Sequence, residues 1–397
     1  MKKRFNLVTV AVLLALMCVL TYVFTYSYSF NAFQKAMDSS EEQQKKLMPV
    51  SDALANVEKH FVGEWTQKDL TDGAVRGMIA NLGDRWSHYL TAEEYAAYAE
   101  GRENLHIGIG VTAAYDEETG GLLITEVYSG SPAEEAGIVP HDIIMKIDGT
   151  AVSEVGYYQA VELVRGEEGT FVGLNLLTAD GGSRTAVVER RAIIHEIVTS
   201  KIYGTAGYIK VLNFDARVDS DFSEAVDRLL DAGVESLIFD MRDNPGGMLT
   251  VLVNMLDRLL PEGALITMRD KTGAETPYTS GPEFIDLPMT VLVNADSYSA
   301  AEFFAACLQE YGKAEIIGEK TVGKGYAQTT YVLSDGSALL LSSSEYFTPS
   351  GKSLAGVGLT PDYEIIFTDE EKLAAPTMTP EEDRQLQKAL EVLGVVS

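Results

Sequence analysis

Hydrophobic positions along this 397-residue chain change their spacing several times, and each change predicts a different kind of element. No charge interrupts the run from Phe5 to Tyr26, and Lys2, Lys3 and Arg4 stand before it. The run is long enough to cross a bilayer core, which takes about 20 helical residues. Bulky Thr25-Tyr26-Ser27-Tyr28 follows where a signal peptidase needs small residues, and Met17 before Cys18 makes a poor lipoprotein site. The pattern predicts a retained signal anchor, with the basic tip cytoplasmic and everything after about residue 30 outside. A polar spacer, Ser39 to Lys46, then leads to a helical stretch from Val50 to about Tyr98. There Val50, Ala53, Leu54, Val57 and Phe61, then Ala74, Met78, Ile79 and Leu82, recur at helix spacing.

From about residue 104 the elements shorten. Strands are expected at Ile107–Val111, Leu122–Val127, Ile143–Ile147 and Phe171–Leu177, with helices at Pro132–Ala136 and Val155–Val164. This reads as a small α+β or partly open barrel domain. Beyond about Ile193 strands and helices alternate. The strands are Tyr208–Val211, Ser236–Met241, Met289–Val293, Glu315–Ile317 and Ala338–Ser342; the helices are Phe222–Ala232, Leu249–Leu260 and Ala300–Tyr311. That is an α/β layer domain. At the tail, Thr379 and Pro380 look like an N-cap and first-turn pair before Leu386, Leu390 and Leu393.

Composition narrows the function. Apolar residues make up 46% of the chain, enough for real cores, and Lys plus Arg total 31 against 59 for Asp plus Glu, a formal charge of −28. Such a surface repels phosphate backbones, so no nucleic acid partner is expected. The only cysteines are Cys18, inside the apolar run, and Cys307; no CxxC or Cys/His cluster exists. No metal and no cofactor is expected.

Elimination then narrows the chemistry, although spacing alone also allows Ser299 to be a helix N-cap and Lys324 a solvated loop residue. The five histidines are His60, His88, His106, His141 and His195, and none lies in the α/β domain after His195. A Ser-His-Asp triad built within that domain is excluded, and G-x-S-x-G and H-E-x-x-H are both absent. The segment Gly318–Gly325 imitates a phosphate loop, but Gly325 stands where the Mg²⁺-binding hydroxyl belongs. What remains is a serine with a lysine. Ser299 falls where the strand ending at Val293 gives way to a helix, so its hydroxyl is presented beside the first helical N–H groups, which suit an oxyanion. The glycines of Asn244-Pro245-Gly246-Gly247, at a second such turn, allow another backbone donor to approach. Lys324, between Gly323 and Gly325 in an uncharged stretch, has the setting in which burial turns an ammonium into a base. Gln328, four residues on, is placed to orient the amine.

These motifs resemble those of the carboxyl-terminal processing peptidases, or tail-specific proteases. Ser297-Tyr298-Ser299-Ala300-Ala301-Glu302 is similar to S-A-S-A-S-E, and Thr321-Val322-Gly323-Lys324-Gly325-Tyr326-Ala327-Gln328 to T-x-G-K-G-x-x-Q, with the family's interval between serine and lysine. Asp240 to Gly247 resembles D-L-R-x-N-x-G-G, and Tyr346 to Gly351 and Gly358 to Asp362 match two later signatures. The resemblance implies a serine endopeptidase with a Ser299–Lys324 dyad supported by Gln328, which the anchor read from the N-terminal run would hold at the membrane, outside the cytoplasm. Its oxyanion hole would be formed by the N–H groups of Ala300 and of Gly246 or Gly247. Residues 104–190 look like a PDZ domain, in which Ile107-Gly108-Ile109-Gly110-Val111 would bind the carboxylate of a peptide C-terminus. Arg165 matches an arginine that couples PDZ position to activity.

The implied order is a cytoplasmic tip and transmembrane anchor (1–30), a linker and helical region (31–103), the PDZ domain (104–190), an α/β protease core (191–368) and a helical tail (369–397). The expected partners are proteins or peptides with exposed C-termini and, through the first helix, the membrane. The sequence leaves open whether the chain forms a homodimer through its helical region or its tail. Two departures stand out. Arg85-Trp86 replaces the Pro-His of L-D-P-H-S-x-Y-L, and Tyr298 replaces a small residue beside the nucleophile. The rival reading is a catalytically silent PDZ scaffold tethering partners at the membrane.

Overall fold

The computed structural model describes residues 44–395 except 104, 179–180, 195–196 and 376–377; before residue 44 it describes only 16–17, 21, 24–26 and 28. Most of the expected anchor from Phe5 to Tyr26 lies outside the described residues. Among those described, no helix is long and apolar enough to cross a membrane. The chain divides into two compact units, residues 1–83 and 84–397.

In the first unit residues 44–60 are helical, and α1 (Gln67–Ala80) begins where the Thr66 hydroxyl accepts from the Asp69 N–H. The helical region does not run on to Tyr98 as expected. Gly83 has φ +70°, a conformation that ends helices. The second unit then opens with a strand, β1 (His88–Leu90). Helix α2 (Ala92–Gly101) follows under a Thr91–Glu94 capping box.

The PDZ-like segment runs through β2 (Leu105–Gly108), β3 (Val111–Asp116), β4 (Gly121–Val127), α3 (Pro132–Glu135), β5 (Ile143–Ile147), β6 (Thr150–Ala151), α4 (Val152–Val164), β7 (Phe171–Leu177), β8 (Ser183–Glu189) and β9 (Arg191–Ile194). Strands β3-β4-β5-β7-β8 form one sheet, with β6 on β5, and β2 pairs with β9. Ile109, Leu122, Ile124, Ile144, Ile147 and Leu174 fill its core. The strand expected over Ile107–Val111 is broken in two. Gly110 turns the chain at φ +81°, and a Cβ there would lie 2.3 Å from the Ser131 Cβ, so only glycine fits.

The α/β core comprises β10 (Val198–Tyr203), β11 (Ala206–Val211), α5 (Val218–Asp231), β12 (Ser236–Asp240), α6 (Leu249–Asp257), β13 (Gly263–Asp270), β14 (Glu275–Ser280), β15 (Met289–Val293), α7 (Ala300–Glu310), β16 (Ala314–Gly318), β17 (Tyr326–Val332), β18 (Ala338–Phe347), β19 (Tyr363–Glu364), α8 (Asp369–Ala374) and α9 (Arg384–Val392). Its main sheet has the order β10-β11-β12-β15-β16-β19. All neighbours pair in parallel except β10 with β11. Every residue of β12 and β15 is buried, as expected of central parallel strands covered on both faces. Phe239 on one face packs with Phe222 and Phe304, while Ile238 and Leu292 on the other meet Leu386 and Leu390 of α9. A second sheet has the order β1-β18-β13-β14, with β17 on β18.

The N-cap of the last helix is Asp383, which accepts from Gln385 and Leu386 N–H, not Thr379. Asp383 is fixed by Arg242 at 2.8 Å, and Thr379 instead closes a separate turn with Glu382.

Candidate active site

Two strand-to-helix turns meet at the C-terminal ends of β12 and β15. Ser299 precedes the first residue of α7, is 8% exposed, and has φ 60° and ψ −122°. A non-glycine residue in that region is strained and needs surrounding structure to hold it. That structure is the neighbouring turn. Tyr298 N–H donates to Asn244 O at 3.0 Å, and the Ser297 hydroxyl donates to Met241 O at 2.7 Å. Asn294 and Asp243 exchange two bonds, of 3.0 and 2.7 Å. Below them the carboxylate of Asp240, wholly buried, is ion-paired with Arg242 at 2.6 Å. Burial works against that ionisation, but Arg242 outweighs it and holds the carboxyl down at about 2.

The turn also separates the two candidate glycines. Gly246 N–H donates to the Asn244 side-chain oxygen at 2.8 Å. Gly246 fits against the serine only as glycine, since a Cβ would lie 2.7 Å from Ala300 N and 2.8 Å from Ser299 Cβ. Gly247 is pressed on Phe214, where a Cβ would lie 2.4 Å from the Phe214 carbonyl carbon. The bridge between them uses Gly246 O and Met248 N–H. Among the described residues, the N–H groups of Gly247 and Ala300 have no partner.

One residue that sequence reasoning quoted but gave no role connects everything. Glu302, wholly buried, accepts from Ser299 N–H at 2.9 Å and Lys324 N–H at 2.8 Å through Oε2. Its Oε1 accepts from Gly323 N–H at 2.7 Å and from the Thr321 hydroxyl at 2.5 Å. A single carboxylate thus grips both the serine turn and the lysine loop.

The Lys324 amine donates to Gln328 Oε1 at 2.7 Å, and Gln328 Nε2 donates to the Trp86 carbonyl. The register of β17 against β18 shifts at Ala327/Gln328, and such a bulge re-aims the side chains around it. Burial pushes the Lys324 amine down to about 8; the Arg102 charge adds to this, while Asp84 and Glu302 oppose it. Ser299, Lys324, Gln328, Gly246 and Gly247 all line one cleft of about 530 Å³. Ala300 lines an apolar recess beside it with Leu249, Leu252, Ile266 and Phe303. Among the described residues no hydrogen bond joins the Lys324 amine to the Ser299 hydroxyl. The elimination of histidine needs correcting: β1, paired with β18, carries His88 to the wall of the same cleft. It is exposed and makes no hydrogen bond to Ser299.

The second expected site also assembles. Ile107, Gly108, Ile109, Gly110, Val111 and Arg165 line one groove of about 260 Å³ with Leu122, Ile144 and Val161. Arg165 pairs at 3.5 Å with Glu100 of α2 and at 3.5 Å with Glu162.

Residues 205–365 match peptidase family S41, residues 100–177 the PDZ domain, and residues 14–94 the activating protease CtpB N-terminal domain. The "Probable CtpA-like serine protease" of Staphylococcus aureus (strain N315) is 30% identical over 373 residues, covering 91% of this chain and 73% of that protein. The chain belongs to the CtpA-like proteases of family S41. A protein of the same description from Staphylococcus epidermidis is 31% identical over 331 residues, which are 82% of this chain and 67% of the relative. A solved chain from Bacteroides fragilis NCTC 9343 described as a "Putative S41 protease" is similar in fold, with a TM-score of 0.53, 21% identity, and coverage of 82% of this chain and 90% of that one. This S41 protease is a serine endopeptidase of the carboxyl-terminal processing type, with a PDZ domain ahead of its catalytic core.

Proposed function

We propose that this S41 protease cleaves peptide bonds with a Ser299–Lys324 dyad, on substrates whose C-termini enter the PDZ groove, and that it works outside the cytoplasm behind a membrane anchor at Phe5–Tyr26. The observation that carries the reading is the shared cleft: Glu302 ties together the two loops whose serine and lysine open onto it. Lys324 turns its neutral amine from Gln328 toward Ser299 and takes the hydroxyl proton as Oγ bonds to the scissile carbonyl carbon. The oxygen of the tetrahedral intermediate accepts from Gly247 and Ala300 N–H; one such donor contributes about 3–4 kcal/mol. The Lys324 ammonium then protonates the leaving amine as the C–N bond breaks. Water, activated by the same amine, releases the acyl group from Ser299. Gln328 keeps the amine oriented between steps.

The anchor reading rests on the uncharged run and the basic residues before it. The test of the dyad is Lys324→Ala against His88→Ala, on a protein substrate with an unstructured apolar C-terminus. The lysine variant loses about 10²- to 10⁴-fold in kcat and remains folded, while the histidine variant retains turnover. Unchanged cleavage by Lys324→Ala sinks the proposal.

A further inference from the structure

The two departures from the family pattern meet in one contact. Trp86, in the loop before β1, and Tyr298, immediately before Ser299, stack with ring centroids 5.7 Å apart and planes 28° from parallel. The Lys324 amine lies over both rings, 4.9 Å from the centre of Trp86 and 5.6 Å from that of Tyr298. The Trp86 loop is itself fixed. Asp84 accepts from Trp86 N–H at 3.0 Å and from the Ser87 hydroxyl at 2.6 Å, and that hydroxyl accepts from Ser342 N–H on β18 at 3.1 Å. The Trp86 carbonyl also takes the bond from Gln328, whose other end holds the amine. Trp86 therefore acts on Lys324 twice, by its ring and through Gln328.

We propose that Trp86 and Tyr298 are positioning residues for the reaction: a two-ring clamp that fixes the Lys324 amine and stabilises the ammonium it becomes on taking the Ser299 proton. The inference rests on Lys324 being the base. As the proton passes to the amine, positive charge arises over two aromatic faces, which attract a cation. An interaction stronger in the transition state than before it raises kcat. Of the charged groups around the amine, Arg102 opposes the ammonium and Asp84 and Glu302 favour it. Arg85 lies over the Trp86 ring, 4.1 Å from its centre, and shares that π surface. The Tyr298 phenol stays neutral, because burial and then Asp296 push its pKa up.

The test uses the full-length chain. Trp86→Leu and Tyr298→Leu keep apolar bulk and remove a π face; Trp86→Phe and Tyr298→Phe keep one. Each leucine variant is expected to lower kcat about 3- to 30-fold with KM nearly unchanged, and to move the acidic limb of kcat/KM about half to one pH unit lower. The phenylalanine variants restore most of the loss. A readout free of turnover accompanies this: the pH dependence of Lys324 acetylation by acetic anhydride, followed by peptide mass spectrometry in a Ser299→Ala background, moves the same way. Curves for the leucine variants that superimpose on the parent overturn the clamp. Equal losses in leucine and phenylalanine variants also overturn it, since they mark a purely structural role. If these outcomes occur while Lys324→Ala is inactive, the clamp fails and the base stands; an active Lys324→Ala removes the base itself.

Discussion

Glu302 receives hydrogen bonds from four donors on two loops, and the account at residue scale turns on it. Glu302→Gln replaces one acceptor oxygen by an NH₂ group facing N–H donors. Leaving buried donors unpaired costs about 1–3 kcal/mol each. The variant is expected to lose roughly 2–4 kcal/mol in chemical denaturation, with kcat falling further than that loss alone would bring. Wild-type stability in this variant would remove the carboxylate from the site's framework. The Lys324 amine makes a second prediction. Burial disfavours its charged form and brings it down to about 8, and the proposed base has to be neutral to take a proton. Activity is therefore lost as pH falls below about 8, and kcat/KM rises with pH through that value and then levels. A flat profile from pH 6 to 10 would contradict this.

That Ser299, Lys324 and Gln328 belong to one candidate site was legible because each sits in a short local string, and all three line one cleft. Glu302 stood in the same string, but its function was not legible: its partners Thr321, Gly323 and Lys324 lie 19 to 22 residues away. Trp86 reaches Gln328 across 242 residues, and no local pattern signals that. The difference between Gly246, whose N–H donates to the Asn244 side chain, and Gly247 was not legible, because it depends on how that side chain folds back on the turn.

At the scale of elements, the turn after β12 carries the weight. Gly247→Ala drives a methyl group into the Phe214 backbone, 2.4 Å from its carbonyl carbon. The turn has to shift, moving the free N–H away from the serine. The variant is expected to lose about 1–3 kcal/mol of stability and at least about 10²-fold in kcat. Full activity with that stability loss would exclude Gly247 as an oxyanion donor. Elements with continuous apolar runs, β12 and β15, were readable because both faces are covered. The β13–β14 hairpin was not. Its second strand, Glu275–Ser280, is mostly exposed and contains Pro277, so it carries no two-residue period. β1 hid within a helical expectation because three residues cannot show any period, and its pairing with β18 is tertiary.

On the scale of the whole molecule, a PDZ groove and a catalytic cleft lie in one compact unit, and α2 touches both. Its Glu100 pairs with Arg165 of the groove, and Arg102, just past its end, lines the cleft and pairs with Asp215 at 2.8 Å. The order of domains followed from motif order, whereas these ion pairs depend on surfaces that meet only after folding. The proposed chemistry turns on one proton, which the amine of the glycine-flanked loop would remove from the Ser299 hydroxyl. The most direct measurement is covalent labelling of the intact protein by a serine-reactive acylating probe, with the site and rate read by mass spectrometry across pH. The account predicts a single adduct on Ser299, formed faster as pH rises through about 8, lost in Lys324→Ala and kept in His88→Ala. An adduct that forms at the same rate without Lys324, or on another residue while cleavage continues, would contradict it.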